Sequence, residues 1–180
     1  MSDTADAPDA PAPDLPRPSQ LWKQLSAERK LEAAQAFWQD ENAGAEQAEV
    51  IATIAQRIKF RLKSVLAMPA DKKARQLVSM PVSELVAARL LVAYHLAHQR
   101  PMMGSFLGSL GIAHEDGLIA DDDMKPPSAD AIRTAATTLA GSYPAEDVAL
   151  YLSTLTWQDP ETWGVLVDAP ETGHTVAETP

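Results

Sequence analysis

The chain has no cysteine. This excludes a disulfide scaffold, a thiolate metal site and a cysteine nucleophile. The N-terminus lacks a basic start followed by an apolar run, so no signal peptide is expected. No stretch approaches the 18 or so uninterrupted apolar residues that a membrane span needs. By elimination, we expect a soluble, cytoplasmic protein that does not enter a membrane.

Familiar glycine and carboxylate motifs are also missing. There is no Walker lysine and no dinucleotide-binding glycine pattern. The segment Gly104-Ser105-Phe106-Leu107-Gly108 is not a nucleophile elbow, because its serine is not central. Asp121-Asp122-Asp123 lacks the ligand spacing of an EF-hand and is predicted to be a solvated loop. Gly104, Gly108 and Gly111 are interpreted as small residues for tight helix packing, which could let another backbone approach closely. No cofactor is expected.

The apolar pattern has the period of helices throughout. No run of five or six residues alternates as a strand would, and glycines and prolines fall between the apolar segments. The predicted fold is all-α, a single-domain bundle of seven to nine short-to-medium helices. Residues 1–18 form an acidic tail rich in proline and alanine, which is predicted to be disordered. Residues 19–167 form the helical domain, and 168–180 form a flexible C-terminal tail.

Local signals place several helix ends. Ser26 and Ser128 are predicted to cap helices, and Gly111 to be the left-handed residue that follows one. An apolar stripe that includes Leu62 and Val65 runs through residues 45–67, which form either one long helix or two helices broken near Phe60. Residues 82–99 form the most apolar helix, predicted to be central, and 114–127 are predicted to be a loop.

Charge is spread unevenly along the chain. The net charge is −10, which disfavours general nucleic-acid binding. Residues 57–75 nevertheless carry a local net charge of +6, which leaves −16 for the rest. This basic segment is either a binding surface for an acidic partner or phosphate, or a solvated helix face. Its cations are Arg57, Lys59, Arg61, Lys63, Lys72, Lys73 and Arg75.

Arg89 lies in the apolar 82–99 helix. Helical spacing aligns it with Leu85, Val92 and Leu96, so we predict that it is buried and ion-paired, or that it faces a pocket. A partner must come from another part of the chain. The candidates for it are Glu32, Glu46, Glu49, Asp116 and Glu146.

The histidines are the weaker candidate site. His95 and His98 are three residues apart on one helix, and with His114 they could supply zinc ligands. The spacing is not that of the HExxH pattern. Glu84, Ala88, Leu91 and these two histidines share a face that is predicted to be half-exposed.

Three functions remain open at this point. The leading interpretation is a non-enzymatic helical module that binds an unknown protein partner, possibly another copy of itself. The second is phosphate or nucleic-acid binding through residues 57–75. The third is a metal-dependent enzyme that uses His95 and His98.

Overall fold

Serine side chains begin three of the helices. The hydroxyls of Ser26, Ser83 and Ser128 each accept a hydrogen bond from the backbone N–H three residues later, at 3.2, 3.3 and 3.3 Å. Such a bond satisfies one of the four N–H groups that a helix start leaves without a partner. The predicted caps at Ser26 and Ser128 are therefore confirmed.

The computed structural model describes residues 17–120 and 124–167, and almost all of the regular structure there is helical. This confirms the all-α, single-domain fold class. Several of the helices are only one or two turns long. The α-helices are α1 (Pro18–Gln24), α2 (Ala27–Gln39), α3 (Gly44–Ile58), α4 (Leu62–Leu66), α5 (Ala70–Val78), α6 (Glu84–His98), α7 (Arg100–Ser109), α8 (Ala129–Ala140), α9 (Ala145–Gln158) and α10 (Pro160–Trp163), with 3-10 turns at Glu41–Ala43 and Gly164–Leu166.

Two apolar clusters make up the core, and they meet at α6 and α9. The first is built by α1 to α6 with Leu150 of α9, and the second by α7 to α10. Helix α6 contacts α1, α2, α3, α7 and α9, which confirms its predicted central position. Arg29 on α2 pairs with Asp147 at 2.7 Å and with Glu146 at 3.3 Å, both in the first turn of α9. These ion pairs connect the two halves of the bundle.

The orientation of α6 about its own axis differs from the prediction. Leu85 is 64% exposed, whereas Ala88, Leu91 and His95 are buried. The middle of the face predicted to be half-exposed is thus part of the core, while His98 at its end is exposed, and the predicted core line through Leu85 and Arg89 lies at the margin of the core. The reason is that α6 is apolar on nearly every side, so the hydrophobic period carries little information about which side is covered.

Residues 114–119 form a small hairpin where a loop was predicted. Strands β1 (His114–Glu115) and β2 (Leu118–Ile119) pair antiparallel, with His114 opposite Ile119. The turn residues Asp116 and Gly117 have φ angles of 49° and 83°. Positive φ at both central residues is the signature of the tight hairpin turn that Asp-Gly favours.

The segment 45–67 proves to be two helices. Helix α3 ends at Ile58, Lys59 adopts a left-handed conformation, and α4 begins at Leu62. Leu62 is exposed, so the apolar stripe through residues 45–67 does not form one buried face. The apolar stripe does not continue past α3 because the left-handed residue Lys59 changes the direction of the chain and ends the helical register.

Three predicted features of the chain, the two tails and the aspartate loop, concern residues that the structure does not describe. Residues 1–16, Asp121-Asp122-Asp123 and 168–180 lie outside the described residues, so the two tails and the solvated loop stay predictions. Pro18, assigned to the tail by the sequence, is buried in the first turn of α1. In the described part of the chain, no helix combines the length and the apolar character needed to cross a bilayer.

Removing residues 1–16 is expected to change the melting temperature by less than about 2 °C, because α1 is held by contacts that begin at Arg17. The Arg17 carbonyl accepts bonds from Gln20 and Leu21, and Ser19 donates to Glu84 through its backbone N–H (3.0 Å) and hydroxyl (2.6 Å). A chain that begins at Gln20 lacks these bonds and should melt lower. Calorimetry of the two shortened chains checks this, and equal melting temperatures would contradict it.

Candidate functional site

The basic segment 57–75 spans the end of α3, all of α4 and most of α5. Six of its seven cations are exposed, and Lys73 is half-buried. Among the described residues, none of the seven has a carboxylate oxygen within 4 Å. The described part of the protein therefore forms no close ion pair with these cations.

Two of these cations have contacts within the fold. Arg57 donates to the carbonyl of Ser79, just after α5, at 2.7 Å. The Lys73 ammonium lies 4.5 Å from the centre of the Trp38 ring on α2, within the range of a cation–π contact. The seven cations that the sequence suggested for anion binding therefore differ in their contacts. Arg57 and Lys73 connect helices of the fold.

Exposed apolar side chains accompany the cations near α4. The described chain exposes five large hydrophobic residues, and three of them, Phe60 (55%), Leu62 (51%) and Leu66 (53%), fall between residues 60 and 66. Lys59, Arg61 and Lys63 alternate with them. We call this surface, formed by Lys59, Phe60, Arg61, Leu62, Lys63 and Leu66, the 59–66 patch. Scattered exposed leucines are ordinary, whereas large contiguous apolar patches are typical of interaction sites.

The patch is held by one buried residue and one unusual turn. Val65 is fully buried and anchors α4 on the core, while Leu62 and Leu66, four residues apart, lie on one exposed side of it. The Phe60 N–H donates to the Ala55 carbonyl at 3.0 Å, and the Lys59 N–H donates to Gln56 at 3.4 Å. This hydrogen-bond pair closes α3 and turns the chain toward α4.

Lys59 has a φ of 55°, a conformation that costs a side-chain-bearing residue about 1 kcal/mol relative to glycine. Lys59→Gly should therefore raise the free energy of unfolding by up to about 1 kcal/mol. Lys63→Gly, within α4, is the matched control and should lower it by a similar amount. Urea denaturation measures both. If Lys59→Gly destabilises the protein as much as Lys63→Gly does, the turn is not strained as described.

Arg89 is ion-paired but only half-buried, whereas a buried ion pair was predicted, and its partner is outside the candidate list. Its Nε lies 2.9 Å from Asp40 Oδ2, and its Nη2 donates to Asp40 Oδ1 at 3.3 Å. The Asp40 and Arg89 side chains are 12% and 24% exposed. Asp40 Oδ1 also accepts from the Asn42 backbone N–H at 2.9 Å. Arg89 thus holds Asp40, the residue that follows α2. This ion pair accounts for the position of Arg89 without the alternative that it faces a pocket.

The three candidate metal-binding histidines have different surroundings. His98 is exposed, with its ring centre 5.3 Å from that of Tyr94. His95 is buried, and its ring meets Tyr94 and Tyr151 edge-on at 5.8 and 5.5 Å. Within residues 17–120 and 124–167, no three histidine, aspartate or glutamate side chains are grouped so that they could hold a metal ion.

His114 packs against the glycines of α7. A Cβ at Gly104 would lie 3.2 Å from His114 Cε1, and one at Gly108 would lie 3.7 Å from its Nε2. A Cβ at Gly117 would lie only 2.6 Å from Met103 Cβ. The neighbour of Gly104 and Gly108 is thus a hairpin imidazole and not the backbone of another segment, and only the contact at Gly104 is closer than ordinary van der Waals distance. Gly111, with a φ of 68°, is the predicted left-handed residue after α7.

The fold changes the chemistry of the His95 imidazole. Burial removes solvent from the imidazole and lowers the pKa of His95 to about 4. Burial likewise raises the pKa of the neighbouring Tyr151 hydroxyl above its ordinary value. Both side chains are therefore neutral at physiological pH. This pair could not be predicted from local patterns, because Tyr151 lies on α9, far along the chain from α6.

Comparisons of the chain with models of known protein families, with curated protein sequences and with solved structures find no match.

Proposed function

We propose that the protein is a helical interaction module that binds an acidic, partly apolar segment of a partner protein through the 59–66 patch. The observation that carries the proposal is the coincidence of three of the five exposed large hydrophobic residues of the described chain with three exposed cations. No described carboxylate oxygen lies within 4 Å of these cations. The cytoplasm is the proposed location.

The chemistry of the patch defines the partner. Leu62 and Leu66 offer an apolar strip along α4, whose burial stabilises a complex by roughly 25 cal/mol per Å². Lys59, Arg61 and Lys63 complement carboxylates, which speeds association and selects against basic partners. The surface is small, so an affinity on the order of micromolar is expected.

A nucleic acid fits this surface less well. The rest of the chain carries −16 and would repel a long polyanion. Phe60 is the only aromatic residue in the basic segment, whereas single-strand binders generally use several stacking rings. The exposed leucines would also add nothing to phosphate binding.

An anionic membrane surface is the other class that recognises cations beside apolar side chains. Helix α4 has only five residues, which is short for a helix that lies in the interface. The acidic remainder of the chain would also be repelled by the anionic headgroups. These two features favour a protein segment over a lipid surface.

The proposal is tested by selecting random 16-residue peptides that bind the full-length protein, followed by titration of the enriched peptides. Enriched peptides should combine aspartate or glutamate with leucine, isoleucine or phenylalanine. Leu62→Ser/Leu66→Ser should weaken their binding at least tenfold, since two apolar contacts are lost. Leu85→Ser removes an exposed leucine elsewhere and should leave the affinity unchanged.

In parallel, binding of the protein to single-stranded RNA and to phosphatidylserine vesicles is measured. The proposal fails if no acidic–apolar peptide is enriched, or if the Leu62/Leu66 variant binds such peptides as well as the native chain does. It also fails if vesicles or RNA bind through the patch more tightly than every selected peptide.

A further inference from the structure

The turn between α3 and α4 interrupts a sequence that favours one continuous helix. Residues 45–68 contain neither glycine nor proline, the two residues that most often end helices. The helical spacing of three and four continues across the turn in Ile51, Ile54, Ile58, Leu62 and Val65. At Lys59 the backbone instead adopts a φ of 55°, which residues with a side chain rarely do. Residues 59–61 are therefore a short, strained connection between two helices.

Straightening this connection would cost α4 few contacts. Val65 is its only buried residue, and residues 59–64 are all exposed. The backbone N–H groups of residues 61–63 donate to no carbonyl of the described chain. In a continuous helix each of them would donate to the carbonyl four residues earlier. A straight connection would thus relieve the strain at Lys59 and add three helical hydrogen bonds.

Exchange between two copies of the chain lets the connection straighten while the rest of the core is kept. Residues 17–58 contain α1, α2 and α3, which pack on α5, α6 and α9. If they pack instead on the same helices of a second copy, these contacts are all made again. Short connections under strain favour such an exchange of identical segments between copies.

We propose that two copies of the chain form a dimer by exchanging residues 17–58, and that residues 44–66 of each copy are then one helix. This inference goes beyond the proposed binding of a partner segment, although the connection lies within the 59–66 patch. The gain on association is limited to strain relief and a few hydrogen bonds, so the dimer is favoured by high protein concentration. Residues 17–58 must separate from the rest of the chain before they exchange, so the dimer forms during refolding.

Substitutions of Lys59 test whether the backbone of the connection controls the dimer. The full-length proteins are unfolded in urea and refolded at high concentration, and their masses are measured by light scattering after gel filtration. Lys59→Ala and Lys59→Gly remove the same charge, but glycine accepts the left-handed conformation and weakens a helix. The dissociation constant of the Lys59→Ala dimer should therefore be at least tenfold lower than that of Lys59→Gly.

Arg61→Pro is expected to hold the chain as a monomer. The φ of −69° at Arg61 suits proline, whereas a proline inside a continuous helix breaks it. The variant should keep the melting temperature of the native monomer. Equal dissociation constants for the two Lys59 variants overturn the proposal, as does an Arg61→Pro dimer as tight as that of the native chain.

An ion pair between the exchanged and the remaining part distinguishes exchange from ordinary association. Arg29 lies in the exchanged part, 2.7 Å from Asp147 of α9. Arg29→Asp and Asp147→Arg each place like charges together, but an exchanged dimer of one variant with the other pairs opposite charges at both sites. When the two variants are refolded together, this mixed dimer should outnumber either dimer of identical chains at least tenfold. Random pairing, or native and Lys59→Ala chains that both remain monomeric after refolding, overturns the proposal.

Discussion

Replacing Arg89 with alanine is expected to lower the free energy of unfolding by about 2–3 kcal/mol. The substitution strands the Asp40 carboxylate, which is 12% exposed and loses both of its contacts with the guanidinium. The cost is below that of a fully buried pair because Arg89 itself is 24% exposed and partly solvated. Urea denaturation of the native and variant proteins measures the difference.

Asp40→Asn separates the two roles of this carboxylate. Asparagine can still accept from the Asn42 N–H, so the cap survives while the charge is lost. The double variant Arg89→Ala/Asp40→Asn should therefore be more stable than the sum of the single effects predicts, by at least about 1 kcal/mol. Strictly additive effects would show that the pair contributes nothing, as is common for exposed ion pairs.

Acidification is expected to destabilise the protein through His95 by about 3 kcal/mol between pH 7 and pH 4. The pKa of His95 is about 4 in the folded chain, against an ordinary value of 6.5. Between these two values the unfolded chain binds a proton that the folded chain does not, so stability falls as the pH falls. A difference of one in pKa between the folded and unfolded chains corresponds to about 1.4 kcal/mol in the free energy of unfolding.

The comparison that isolates this effect is between two histidine variants. Between pH 7 and pH 4, His95→Gln should lose about 3 kcal/mol less of its free energy of unfolding than the native protein does. His98→Gln, at an exposed position on the same helix, should keep the native pH dependence. Denaturation curves at pH 7, 5.5 and 4 suffice, and the same slope in His95→Gln as in the native chain would falsify the burial of a neutral imidazole.

Local signals predicted the features that depend on neighbouring residues. The helix caps at Ser26 and Ser128 and the left-handed Gly111 could be read from the sequence because each depends on residues within one turn. The Asp116-Gly117 pair carried an equally local hairpin signal. The strands beside it are too short to show alternation, which is why a loop was predicted.

The features that the sequence did not predict depend on contacts between distant segments. Asp40 was missed as the partner of Arg89 because it ends α2, forty-nine positions away, and only the packing of α2 on α6 brings it close. The orientation of α6 was missed because an almost wholly apolar helix has no distinct polar side. The exposure of Leu62 depends on the turn at Lys59, whose left-handed conformation nothing in the local sequence demands.

The most direct test of the 59–66 patch is a map of the surface that an acidic–apolar peptide touches. A selected peptide is titrated into the ¹⁵N-labelled full-length protein, and the backbone amide shifts are followed residue by residue. The account predicts that the largest shift changes fall on residues 59–66, with small changes at the exposed cations Lys72 and Arg75 of α5. Changes centred on another surface, with residues 59–66 unmoved, would contradict it.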